Sequence, residues 1–263
     1  MTFIDFEFGI FLLLGVLLFY LCPVKHRWKI LLLISLVFYA IAGVKYLPFI
    51  FVTSLSVWLG GRKMGQRLDR LEQELLRDNP DRKEKKARKE AAKKDCKKVM
   101  LGILVLNLAV LCVVKFTKFF IGPINHLLAV MGGSESFTAA DIIVPLGISY
   151  YTFSALSYLL DVYWKRVSYE KNYFRFLLYL IYFPHILQGP IEHYGMLGQE
   201  LKKELRFDYD RVCKGMQLML YGYFKKLVIA DRINTFITTA YGAYDSTAGS
   251  ILLLAMFLDV VYI

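Results

Sequence analysis

The chain has 263 residues, 57% of them hydrophobic and 21% charged, with a mean hydropathy of +0.45. That apolar share exceeds what soluble domains carry, and it excludes a water-soluble globule and a disordered chain as first readings. The net charge of +11 does not point to nucleic acid, because 15 Lys/Arg and 8 Asp/Glu fall within residues 62–98 alone; a basic loop of this kind orients a membrane protein.

The start, MTFIDFEFGIF, has no basic n-region and carries Asp5 and Glu7, so it does not read as a cleaved signal peptide. Residues 6–22 are a first span, stopped by Pro23 and followed by Lys25, Arg27 and Lys29. Residues 28–43 and 46–61 form two further apolar runs around the Gly/Pro-marked turn GVKYLP. Residues 62–98 are a basic cytoplasmic segment. Leucines 68, 71, 75 and 76 predict an amphipathic surface helix before Pro80, and the Lys/Ala/Glu stretch after it is helix-prone without an apolar face. A solvated helix or a contact with anionic lipid or a partner would each suit it.

Residues 99–120 are a fourth span, 122–141 a polar connection, and 142–164 a fifth span interrupted by Pro145 and Gly147. Placing the basic segments 24–29, 62–98 and 165–171 in the cytoplasm puts the N-terminus outside. Residues 174–191 (FRFLLYLIYFPHILQGPI) are short for a span and contain Pro184, His185, Gln188, Gly189 and Pro190. A basic stretch follows at 202–214, so a full crossing would put it outside. The segment is therefore read as re-entrant or broken, which is tolerated only against protein or a water-filled cavity. Lys225 and Lys226 sit in the apolar run 215–230, where each would cost roughly 2.5–3.5 kcal/mol at a helix centre. They snorkel, or they face an anion such as a phosphorylated cofactor. The final stretch, 251–263, is thirteen residues, too few to cross a core that takes about 20. The sequence is expected to be incomplete at its C-terminus.

Few residues carry chemistry. Cys22, Cys96, Cys112 and Cys213 have no CxxC spacing, and neither a disulfide framework nor a metal site is expected. No P-loop, GxSxG or HExxH occurs. His185 is an intramembrane ionisable group, which makes it a candidate for a cavity or substrate role beside a plain hydrogen-bonded one. Gln188, Gly189 and Pro190 supply the break, as a turn or as backbone open to a channel. Tyr151, Ser154 and Tyr158 share one helical face, and Asp161 is placed to pair with Lys165 at i+4.

Three stretches, VPLGISYYTFSALSYLLDVYW (144–164), YFPHILQGPIEHY (182–194) and GYFKKLVIAD (222–231), resemble the membrane-bound O-acyltransferases in order and spacing. The branch that acetylates bacterial exopolysaccharides such as alginate is the most similar, and the N-terminal runs look like it too. The resemblance implies an all-α, polytopic transmembrane bundle in one membrane domain over 1–263, a ring of helices around a tunnel, in a bacterial inner membrane. It implies an acyl, in particular acetyl, transfer from a cytoplasmic donor such as acetyl-CoA or an acyl carrier thioester. The acceptor would be an extracytoplasmic polysaccharide, with an SGNH-type secreted partner. No bound cofactor and no nucleic-acid partner are implied. Tyr150, Tyr151, Pro184, His185, Gln188, Gly189 and Pro190 would line the tunnel or substrate path, and Lys225 and Lys226 would contact the donor. The family's catalytic histidine follows a tryptophan in a later motif. None of His26, His126, His185 and His193 does so, which places that base beyond Ile263 and leaves this chain alone inactive. D-alanyl transfer to teichoic acid, a transporter and a non-catalytic fragment are the alternatives.

Overall fold

A computed structural model describes residues 6–130, 145–186, 191–204, 206–243 and 247–262. All regular structure among them is helical. α1 spans Phe6–Leu21, α2 Arg27–Gly43, α3 Leu47–Asp78 and α4 Arg82–Val130. α5 follows at Ile148–Tyr163, α6 at Tyr173–Ile181, and the short α7 and α8 at Phe183–Ile186 and Leu197–Glu200. α9 (Tyr209–Phe224) runs through a π turn at Lys225–Ala230 into α10 (Asp231–Gly242), and α11 is Gly249–Tyr262. The helical run Val24–Asp78 and the stretch Arg82–Phe116 are long and apolar enough to cross a membrane; Phe6–Leu21 and Gly249–Val260 are apolar but shorter.

Two compact units emerge, Leu13–Glu204 and the combination of Met1–Leu12 with Leu205–Ile263. In the first, α3 packs on α4 and α5, and α2 packs on α6. Its core gathers Val57, Met64, Tyr158, Leu159, Phe176 and Tyr194. In the second, α10 packs on α11, and α9 and α10 meet through the π turn. Leu218, Leu220, Leu253 and Val260 are exposed there.

The basic segment differs from its sequence reading. It does not form a separate surface helix. α3 continues past Gly61 to Asp78, and α4 begins at Arg82, so residues 62–98 are the end of a helical hairpin built from two long helices. The stretch after Pro80 does have an apolar face: Ala92 is fully buried beside Leu71 and Leu75, and Cys96 lies against the Met64 carbonyl. Asn79 takes the left-handed conformation that ends α3 (φ 40°), and Pro80 cannot continue it. Arg88 clamps the turn through Asp78 (2.8 Å) and Glu84 (2.7 Å).

Two other boundaries move. α4 runs on to Val130 with Pro123 inside it, where a polar connection is expected from residue 122. α5 starts only at Ile148, because Gly147 sits at φ 67°.

Candidate functional site

The interruption after α6 is held open by specific contacts. Tyr182 leaves the helix (φ −50°, ψ 110°) and α7 resumes at Phe183. The Phe183 N–H donates to Ser35 Oγ at 3.4 Å, and its ring packs on Phe38 at 5.8 Å. The break is thus tied to α2. Gly147 brings α5 to the same place. A Cβ there would lie 2.3 Å from the Ile186 carbonyl oxygen, so only glycine lets the start of α5 meet the backbone of α7.

The result unites three residues that the sequence singles out. Tyr150, Tyr151 and His185, with Ser154, Tyr179 and Glu192, surround a cavity of about 20 Å³. That is room for about one water molecule. His185 Nδ1 is buried without a hydrogen-bond partner, which is uncommon and costly, and the buried Tyr151 hydroxyl has the Tyr39 hydroxyl for a neighbour. The His185 ring stacks on Tyr182 at 5.6 Å. Tyr179 Oη donates to the Glu192 carbonyl at 2.6 Å. Pro184 is exposed, and Gln188, Gly189 and Pro190 lie outside the described residues.

A second polar group stands at the end of α5. His193 Nδ1 lies 3.2 Å from both Ser157 Oγ and Asp161 Oδ2, and Arg166 lies 3.7 Å from the buried Asp161 carboxylate. Both contacts converge on one ring nitrogen, so this is not a nucleophile–histidine–acid relay, which uses the two nitrogens separately. It forms the polar end of a groove of about 500 Å³ whose walls include Leu104, Leu108, Leu156 and Leu160. The expected Asp161–Lys165 pair does not form. Lys165 turns into the left-handed region (φ 58°) beyond the helix end, and its amine reaches Glu72 at 3.0 Å instead.

Glu170 escapes sequence reasoning altogether. It is 6% exposed and binds four elements. Its Oε2 accepts from Tyr194 Oη (2.5 Å) and pairs with Lys202 (2.7 Å). Its Oε1 accepts from the Asn172 N–H, its N–H donates to Tyr158 Oη, and its carbonyl accepts from Trp58 Nε1, each at 2.9 Å. Burial pushes the carboxyl up, but the bonds from Lys202, Tyr194 and Asn172 outweigh it and hold the group below the ordinary carboxylate range. An acid in a mostly basic loop carries no sequence signal for such a role.

Lys225 and Lys226 lie in the other unit. Lys226 pairs with Asp231 at 2.9 Å and sits over the Tyr262 ring, while Lys225 sits over Tyr221. The π turn explains the spacing, since it brings residues i and i+5 together. Among the described residues no three His, Cys, Asp or Glu side chains cluster closely enough to hold a metal ion.

The chain is 28% identical over 243 residues to the "Probable alginate O-acetylase AlgI" of Azotobacter vinelandii, covering 91% of this chain and 43% of the relative. It is also 28% identical over 235 residues to the protein of that name from Pseudomonas aeruginosa. A "Peptidoglycan O-acetyltransferase" of Helicobacter pylori is 25% identical over 227 residues, 76% of this chain and 38% of its own length. The chain therefore spans about two fifths of the length of these relatives. No family model and no solved structure matches it. By this likeness the chain is a homologue of part of proteins named as O-acetylases and O-acetyltransferases.

Proposed function

We propose that this chain is the part of a membrane-bound O-acyltransferase that spans a bacterial inner membrane and lines the acyl path. An acetyl group would pass from a cytoplasmic thioester donor, acetyl-CoA or an acyl carrier, to a hydroxyl of an extracytoplasmic polysaccharide. The observation that carries this reading is the likeness, over 91% of the chain, to a protein named for O-acetylation. The geometry adds a reason to place substrate near α5. Tyr151 and His185 line one small cavity beside an interrupted helix, and His185 Nδ1 is buried without a hydrogen-bond partner; broken backbone at membrane depth suits a substrate path better than a lipid-facing wall.

In this reading the general base belongs to a part of the longer relatives outside these 263 residues. His185 and Tyr151 then position substrate and do not take its proton. The acceptor hydroxyl sits on a polymer such as alginate or, as the Helicobacter relative's name suggests, on peptidoglycan glycan; an SGNH-type secreted protein is the expected partner. The N-terminus lies outside and the basic hairpin in the cytoplasm.

The test is the acetyl content of cell-surface polysaccharides, measured with the gene intact, deleted, and carrying His185→Ala. Deletion should lower ester-linked acetyl at least tenfold in one polymer, and His185→Ala should lower it several-fold with the protein still in the membrane. Equal acetyl content in every polymer after deletion would sink the reading.

A further inference from the structure

We infer that a groove at the basic end of the α3–α4 hairpin binds a soluble, phosphate-bearing ligand that also carries an apolar or aromatic part. The groove has a volume of about 460 Å³. One wall carries Lys85, Lys89 and Lys93, which at i, i+4 and i+8 form a single stripe along α4. The opposite wall is leucines from α3, and the end is closed by Tyr163 and Trp164 from the last turn of α5 and the residue beyond it. The lining contains one acid, Glu72, and its carboxylate is taken by Lys165 at 3.0 Å. Among the described residues no ion pair reaches the amines of Lys85, Lys89 or Lys93. All three lysines are exposed, so a ligand meets three positive charges side by side above an apolar floor.

A cation stripe alone suits many anions. Two features narrow the ligand. Trp164 and Leu76 remain exposed at 51% and 79% beside the lysines, so the site rewards burial of an apolar or aromatic group as well as charge. Position then separates a soluble ligand from a membrane lipid. The apolar part of α3 ends at Gly61 and that of α4 begins at Val99. Leu68 and Lys93, the lining residues of the hairpin nearest the membrane, therefore stand about 9–10 Å beyond the hydrocarbon edge at ~1.5 Å per helical residue. The headgroup zone is only about 5–7 Å deep on each side. Tyr163 and Trp164 close the groove where the fifth apolar run ends, so the groove leads outward from the membrane surface and its three lysines stand past the headgroups, in solvent.

This rests on the acyl-transfer reading only for the ligand's identity, because a phosphorylated thioester donor has the required chemistry. The test uses the chain purified into phosphatidylcholine nanodiscs, with coenzyme A and inorganic pyrophosphate as probes. The variant is Lys85→Gln, Lys89→Gln, Lys93→Gln, three exposed positions where glutamine keeps the helix. Coenzyme A should bind at least tenfold more weakly to the variant, wild-type affinity should fall as salt rises, and pyrophosphate should compete. Equal affinity in wild type and variant overturns the inference. So does an absence of binding by either probe, or a lysine effect seen only when the discs contain phosphatidylglycerol, which would make the site a lipid contact. A protein that binds coenzyme A in this groove but transfers no acyl group in the full reaction would count against the transfer reading and leave the groove standing.

Discussion

Glu170 shows how much one carboxylate can hold. Its carboxylate takes the Tyr194 hydroxyl while its backbone bonds Trp58 on α3 and Tyr158 on α5, and its counter-charge among the described residues, Lys202, is 30% exposed on its side chain. Replacing it with alanine strands the Tyr194 hydroxyl, the Asn172 N–H and Lys202 and should cost about 3 kcal/mol, the lower end for breaking a buried pair because of that exposure. Thermal unfolding in detergent measures it. The folded carboxyl ionises below its unfolded value of about 4.3. Its contribution is therefore complete above pH 4.3 and fades as the pH falls through the lowered folded value. The stability gap between wild type and Glu170→Gln should stay constant from pH 7 to pH 5 and narrow below pH 4; a gap unchanged down to pH 3 would contradict this. Gly147→Ala belongs to the same scale. The left-handed backbone costs an alanine about 1–2 kcal/mol, and the methyl meets the Ile186 carbonyl. The variant should unfold earlier and disturb the stacking of His185 on Tyr182. His185 and Tyr151 are legible in the sequence because a histidine or a hydroxyl-rich face is conspicuous in an apolar run. Glu170 is not legible, since its partners are contributed by residues 58, 158, 194 and 202, which only the fold brings together.

At the level of elements, the first apolar helices could be read from hydropathy and their ends from Pro23 and Gly43. The hairpin could not. Its helices are dense in charge, and the buried apolar side chains in the part beyond Met64 are Leu71, Leu75, Ala92 and Cys96. The leucines of α3 show as an apolar face in the sequence, but Ala92 and Cys96 on α4 look like noise until the two helices face each other. Leu71→Ala with Leu75→Ala should loosen this part of the hairpin. Each buried leucine costs roughly 2–5 kcal/mol when truncated, and hydrogen exchange in residues 66–95 should rise while the span regions stay protected. Uniform protection there would mean that the leucines contribute no packing. The exposed ion pairs of Arg88 add little by comparison, a few tenths of a kcal/mol each.

For the whole molecule, orientation and activity are the open quantities with direct measurements. A single cysteine at Lys86, in an otherwise cysteine-free chain, should react with a membrane-impermeant reagent only after the cells are opened. Reaction in intact cells would reverse the orientation proposed here. Membranes containing these 263 residues alone should show no acyl transfer above background, because the relatives are more than twice as long as the aligned region. Turnover that His193→Ala abolishes would show instead that the imidazole beside Asp161 serves as the base.

The π turn at Lys225–Ala230 has a consequence for descent. It holds one residue more than an α-helical turn needs, and the extra residue is absorbed without breaking the helix on either side. A lineage could gain or lose a residue here at small cost. Loss would shorten the Lys226–Asp231 spacing to four, which an ordinary helix also accommodates as an ion pair. Single-residue gaps between this chain and its homologues are therefore expected to collect in this segment, with the lysine and the acid still matched across them.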